Sequence, residues 1–179
     1  MAERTYCSID PGLETGISIY SSTRRLLQTG IIRYSSFAGY KEQLVMMRNR
    51  WQIEVALIEA YWPMGKHFRN ASKVEVQVAA CKEAFPDHLL VHTAQWNPHA
   101  ISERMKKAMA ESVFECKFTN GHVVDSVLMG KWLYDLLQNT APFPWDYMLE
   151  LGRTTHRFPL RSQLRNMRIQ RFAAEKVAL

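Results

Sequence analysis

Hydrophobic and polar positions along the chain change period once, and the change divides it. From Thr5 to Arg33 the pattern is that of strands. Thr5-Tyr6-Cys7-Ser8-Ile9-Asp10 runs into Pro11-Gly12, a turn signal, and Ile17-Ser18-Ile19-Tyr20 alternates after Gly16. Ser21-Ser22-Thr23 supplies a second turn, and Leu26 to Arg33 a third strand. Connections this short join antiparallel neighbours, so these strands form a meander. The period then becomes helical: Tyr40, Leu44, Met47 and Trp51 fall on one face.

Val55 to Ala60 is an apolar run broken by one carboxylate, the pattern of a strand buried on both faces. Ser72-x-x-Glu75 has the form of a capping box, opening a helix with Val74, Val78, Cys81 and Phe85 on one stripe. His88 to His92 reads as a fifth strand. Asn97-Pro98 pairs an N-cap with a proline at the first helical position, predicting a helix to about Val113. A last core helix is expected from about Asn120 to Gln138. A meander followed by two crossovers gives an α/β fold, a five-stranded mixed sheet of order 3-2-1-4-5 flanked by helices. Ala141-Pro142-Phe143-Pro144 marks a boundary between a domain over residues 1–140 and an extension over 141–179. In the extension Leu160, Leu164, Met167 and Phe172 are compatible with a helix, and Arg153, Arg157, Arg161, Arg165 and Arg168 recur at helical spacing.

With 47% hydrophobic and 22% charged residues, the chain has the composition of a folded globular protein. No apolar run approaches the roughly 18 residues of a membrane span, and Met1-Ala2-Glu3-Arg4 opens no signal peptide. The expectation is a cytoplasmic protein with no membrane partner. Cys7, Cys81 and Cys116 are too widely spaced for a disulfide framework or a zinc ribbon, and each is expected as a small buried hydrophobe. The net charge is +6, and residues 141–179 hold seven Lys/Arg against three Asp/Glu. A basic balance suits a polyanionic partner, nucleic acid or an acidic membrane surface, and equally suits simple solubility.

The acidic residues narrow the choice. Asp10 ends the first strand and Glu59 interrupts the most apolar one, positions where a carboxylate is costly unless paired or metal-bound. His122 and Asp125 stand at i and i+3 on the last core helix, amid Val127, Leu128, Trp132 and Leu133. The element order brings strands one and four together where the meander meets the first crossover, a switch point at which open sheets bind ligands. Three carboxylates and an imidazole gathered there repel unless cations neutralise them, and oxygen-rich sites suit Mg²⁺ or Mn²⁺. Two such ions stabilise the attacking and leaving oxygens of phosphodiester hydrolysis. A basic protein with Asp10, Glu59, His122 and Asp125 as metal ligands is therefore expected to cut nucleic acid.

Ser8-Ile9-Asp10-Pro11-Gly12-Leu13-Glu14-Thr15-Gly16 resembles the first strand and turn of the RuvC-type Holliday junction resolvases, with their IDPG…TG signature. Ile58-Glu59 resembles the second acidic strand of that family, and His122-Val123-Val124-Asp125 its closing helix, DxxD or HxxD. The match spans residues 4–138 in the family's order. The resemblance implies a ribonuclease H-like fold, Mg²⁺ or Mn²⁺ dependence, and a homodimer that cuts four-way and related branched DNA symmetrically. The rest of the chain is divergent, which fits a phage or mobile-element member working in a bacterial host cytoplasm. The basic stretch beyond Pro144 has no counterpart in the family.

Further residues are candidates for DNA contact. Trp62 follows Glu59 closely, and the resemblance implies an aromatic there that stacks at the opened junction, although a hydrophobic staple fits equally well. Lys66, His67, Arg69 and Lys73 precede or open the next helix, within reach of phosphates. Lys106 and Lys107 lie where the family carries DNA-contacting bases, or else on a solvated helix face. Three alternatives remain: a nuclease of this fold acting on forks or RNA–DNA hybrids, a non-catalytic junction-binding protein, and the actin-like ATPase fold. That last fold opens on a similar Asp-x-Gly-x-x-Thr-Gly, but needs two such domains, more than 179 residues can house.

Overall fold

The computed structural model describes residues 5–23, 25–60, 68–97 and 101–136, and within them the side chains other than those of 68–73, 94–95 and 133–136. The strands are β1 (Thr5–Asp10), β2 (Glu14–Ser21), β3 (Leu26–Arg33), β4 (Ile53–Glu59) and β5 (His88–Val91). They form one sheet of order β3-β2-β1-β4-β5. β1–β2 and β2–β3 are antiparallel, whereas β1–β4 and β4–β5 are parallel, as a meander followed by two crossovers requires. The helices are α1 (Phe37–Trp51), α2 (Phe68–Ala84), α3 (Thr93–Trp96), α4 (Glu103–Phe114) and α5 (Gly121–Leu136). None is long and apolar enough to cross a membrane, among the described residues.

The two-residue period of β1 and β4 sends alternate side chains into two separate cores. Cys7 and Ile9, with Ala56 and Ile58, pack against Tyr40 and Leu44 of α1 and Ala80 and Cys81 of α2. Tyr6, with Val55 and Leu57, packs against Ala110 of α4 and Val123, Val124 and Val127 of α5. Asp10 shares the parity of Tyr6, and Glu59 that of Val55 and Leu57. Both carboxylates therefore emerge on the α4–α5 side, the side that carries His122 and Asp125.

Several boundaries differ from the sequence pattern. β2 starts at Glu14 rather than at Ile17, because Thr15 and Gly16 already pair with Ile32 and Ile31 of β3. The Ser72…Glu75 box does not open α2, which begins at Phe68. A cap supplies only about 1 kcal/mol, so added helical turns outweigh it. Asn97 does not cap α4; its Oδ1 instead accepts from the Ile101 N–H at 3.1 Å, and Ser102 caps the helix by accepting from Met105 N–H. Cys7 and Cys81 are buried as expected, but Cys116 is exposed just past the α4 C-terminus. The expected basic extension, with its arginine stripe, lies outside the described residues.

Candidate active site

The parallel register of β1 and β4 places the first two carboxylates side by side. Ile9 pairs with Ile58, so the next residue on each strand is Asp10 on one and Glu59 on the other. Both strands end there, at the carboxyl edge of the sheet. The turn after Asp10 is held by Thr15, whose Oγ1 donates to Gly12 C=O at 3.0 Å, accepts from Gly12 N–H at 3.2 Å, and lies 2.7 Å from Tyr40 Oη. No signal in the sequence singles out Tyr40, which looks like an ordinary core residue.

α5 delivers the other two groups, and its docking on the sheet is closely specified. Tyr20 Oη donates to Val127 C=O at 2.8 Å, and Ser8 Oγ to Ser126 C=O at 2.5 Å. At the N-terminal end the helix lies directly on Gly16, where an added Cβ would stand 2.0 Å from the His122 carbonyl oxygen. Asn120 Oδ1 accepts from the N–H groups of His122 and Val123, and its Nδ2 donates to Glu14 Oε2 at 3.0 Å. Asn120 thereby caps α5 and ties it to the turn that follows Asp10. Sequence reasoning placed the helix start at Asn120 but missed this second role.

Asp10, Glu59, His122 and Asp125 line one cleft of about 580 Å³, together with residues Pro11–Glu14, Val74, Gln77 and Thr93. Asp10 is buried, and its Oδ2 lies 2.6 Å from Nδ1 of the half-exposed His122. That contact is the main cause that raises the His122 pKa above its usual value, against the opposing effect of burial. Glu59 Oε1 accepts from Thr93 Oγ1 at 2.5 Å and from Trp96 Nε1 at 3.0 Å. Its carboxyl is nevertheless pushed up to about 7, first by burial and then by the neighbouring Asp10 charge. Burial likewise raises Asp125, with Lys106 pulling the other way.

Lys106 is the least expected member of the group. It is only 5% exposed, with Nζ 2.6 Å from Asp125 Oδ1 and 2.6 Å from Glu103 Oε1. Burial works to lower the ammonium pKa, but the two carboxylates more than offset it and the net shift is upward. Buried and paired with two carboxylates, this amine is not a surface cation for a DNA phosphate. Lys107 is exposed, with Nζ 3.9 Å from Glu111 Oε1. Arg69 and Lys73 lie on α2, but their side chains, like the whole of Trp62, Lys66 and His67, fall outside the described residues.

Three carboxylates and an imidazole on one cleft are a donor set for a hard divalent cation. Gln77 adds an oxygen: it is 2% exposed, lines the same cleft, and its Oε1 has no hydrogen-bond partner among the described residues. As placed, no three His, Cys, Asp or Glu side chains among the described residues converge on one ion position. They are engaged in pairs instead, Asp10 with His122 and Asp125 with Lys106, while Glu59 is held by Thr93 and Trp96. The donor chemistry of the set fits a divalent ion.

These shifts set a pH dependence for the metal-free protein. Glu59 is raised from 4.5 to about 7, so the folded state holds its proton across that window while the unfolded chain has released it. Stability from this group is complete below about 4.5 and is lost as pH rises through 7. The raised His122 acts in the same direction as pH climbs from 6.5 through its folded value. Thermal melts in EDTA should therefore fall by a few degrees from pH 6 to pH 8, since about 1 kcal/mol moves a chain of this size by 2–4 °C. Glu59→Gln should flatten most of that slope, and Mn²⁺ should stabilise the wild type more at pH 8 than at pH 6.

The strand order and the parallel β1–β4 step are those of a ribonuclease H-like fold, the fold of the solved RuvC structures to which this chain is similar. Among solved structures, the chain is similar to Thermus thermophilus RuvC in complex with a Holliday junction substrate, at a TM-score of 0.62 and 14% identity, over 75% of this chain and 96% of that one. A second Thermus thermophilus RuvC structure gives 0.53 at 12% identity, over 74% and 96% of the two chains. The Fowlpox virus resolvase bound to substrate Holliday junction DNA gives 0.50 at 11% identity, over 73% and 98%. No protein-family model matches the sequence, and no curated protein matches it.

Proposed function

We propose that this protein is a structure-selective endodeoxyribonuclease that cleaves four-way and related branched DNA junctions as a homodimer, using divalent cations. One observation carries the reading: four residues from three separated stretches of sequence, Asp10, Glu59 and the His122/Asp125 pair, line a single cleft at the carboxyl edge of β1 and β4. The Holliday junctions bound by two of the structural neighbours, and the net charge of +6, support branched DNA as the substrate.

Asp10, Glu59, His122 and Asp125 would hold Mg²⁺ or Mn²⁺, with Gln77 Oε1 as an additional neutral donor. Bound there, a divalent cation would supply Lewis-acid polarisation of the scissile phosphodiester and offset the charge that develops on its oxygens. Asp10 lies at the centre of the set, between Glu59 on one side and His122 on the other. With His122 Nδ1 engaged by Asp10, Nε2 is the ring nitrogen left for a ligand. The buried Lys106 favours the charged form of Asp125 against the effect of burial and offsets part of the acidic charge beside a cleft that must admit a polyanion. Trp62, Lys66, Arg69, Lys73 and Lys107 would stack on or grip the junction arms, and the basic stretch beyond residue 140 would either extend that grip or complete the dimer. Two sites related by a two-fold axis would cut the two strands symmetrically.

A gel assay tests the substrate class, comparing a four-way junction, a fork, linear duplex and an RNA–DNA hybrid at equal Mn²⁺. Cleavage of the four-way junction should exceed that of linear duplex by at least about tenfold, the equivalent of 1.4 kcal/mol of discrimination. Equal cleavage of all four would replace the reading with a general nuclease. Binding without cleavage in either Mg²⁺ or Mn²⁺ would leave a junction-binding protein.

A further inference from the structure

The acidic walls of the cleft belong to different elements, Glu59 to β4 and Asp125 to α5, and one side chain touches the support of both. Trp96, in α3 immediately after β5, is buried to 8% exposure. Its Nε1 donates to Glu59 Oε1 at 3.0 Å. Its ring lies 5.8 Å from Nζ of Lys106, within cation–π range. Lys106 in turn sits on Asp125 Oδ1 at 2.6 Å and donates to Oδ2 at 2.8 Å. A single rigid indole thus links the anchor of one carboxylate to the counter-ion of the other. It reaches Glu59 from the β5 side, where Glu59 pairs with Val91 in the sheet.

We propose that Trp96 is a positioning residue that fixes Glu59, through its N–H, and Asp125, through Lys106, on the cleft wall that would receive a divalent cation. This rests on the metal-dependent reading above. Groups that orient metal ligands without touching the ion recur in metalloenzymes, and removing one weakens metal binding by about 10–100-fold. Trp96 contributes two orienting contacts at once. The N–H takes up one oxygen of a carboxylate that lines the cleft beside Asp10. The ring face carries a buried ammonium whose position decides where Asp125 points. Nothing in the sequence marks Trp96 for this, since the spacing from Glu59 is set by β5 and α3 rather than by a motif.

The test is Mn²⁺ titration of the metal-free full-length protein by calorimetry, with Trp96→Phe and Trp96→His beside the wild type. Phe keeps an aromatic face near Lys106 but loses the donor, and should bind Mn²⁺ about 10–100-fold more weakly. His keeps an N–H on a planar ring and should retain more affinity than Phe, and that ranking separates the hydrogen bond from ring volume. Junction affinity in EDTA should be unchanged in both variants, and the half-saturating Mn²⁺ concentration for cleavage should rise with the loss of metal affinity. Wild-type Mn²⁺ affinity in Trp96→Phe would overturn the positioning role while leaving the metal reading intact, as would a lowered Tm with metal affinity untouched. A wild type that binds no Mn²⁺ would overturn both.

Discussion

Asp10→Asn should reduce junction cleavage to below about a thousandth of wild type, the scale expected when a group acting directly on the reacting charge is removed. The substitution is isosteric, so the β1–β4 register and α5 docking should survive it. What changes is charge. Asn cannot serve as an anionic ligand between Glu59 and His122, and it relieves the repulsion that helps to hold Glu59 near 7. Phosphate then meets one fewer negative charge, so junction affinity in EDTA should stay equal or rise. The metal-free protein should melt no lower than wild type at pH 8, because a repulsive carboxylate has been removed from a crowded cleft. The measurement is cleavage in Mg²⁺ and Mn²⁺ beside a mobility-shift titration in EDTA. Full Mg²⁺-dependent cleavage by this variant would sink the assignment of the whole cluster.

The second large effect is expected at a residue that carries no functional group. A Cβ on Gly16 would lie 2.0 Å from the His122 carbonyl oxygen, 2.1 Å from its carbonyl carbon and 2.6 Å from Val123 N. All three are backbone atoms, so no side-chain rotation relieves the clash. Gly16→Ala must move the N-terminal end of α5 away from β2 by about 1 Å to restore ordinary contact distances, at a cost of about 3 kcal/mol or more. A shift of that size carries His122 off Asp10, and a misplacement of about 1 Å costs roughly 100-fold in rate. Gly130→Ala is the natural comparison. Its Cβ would meet the Tyr20 ring at 2.5 Å and Ser8 Oγ at 2.9 Å, side-chain atoms further along the helix. It should destabilise the fold and cost less cleavage. Gly30→Ala, with nothing within 4 Å of the added carbon, should be silent in both melting and cleavage. Equal cleavage by the Gly16 and Gly130 variants would show that α5 placement does not control the site.

The strand and helix succession was legible because each element carries its own period. Alternation in β1 to β3, the apolar run of β4 and the α1 stripe of Tyr40 and Leu44 are properties of short segments. Short links in the meander and crossovers after it then leave few topologies open, and the observed sheet order is among them. The acidic residues stood out for the same local reason, since a carboxylate inside an apolar strand is costly wherever the strand ends up. The misplaced boundaries, at β2, α2 and α4, are places where a local capping or turn preference of about 1 kcal/mol yielded to pairing and packing.

What the sequence by itself determined is therefore the set of elements, their order, and which carboxylates needed an explanation. Only the tertiary structure decided how those groups are held. It seats α5 on Gly16, turns the Asn120 cap toward Glu14, buries Lys106 on Asp125, and brings the Trp96 indole between Lys106 and Glu59. Each of these contacts joins different elements of the fold, and none leaves a periodic or compositional trace. Lys106 and Lys107 read alike in the sequence, as a pair for DNA contact or a solvated face, yet a helical step of about 100° buries one ammonium on Asp125 and leaves the other exposed beside Glu111.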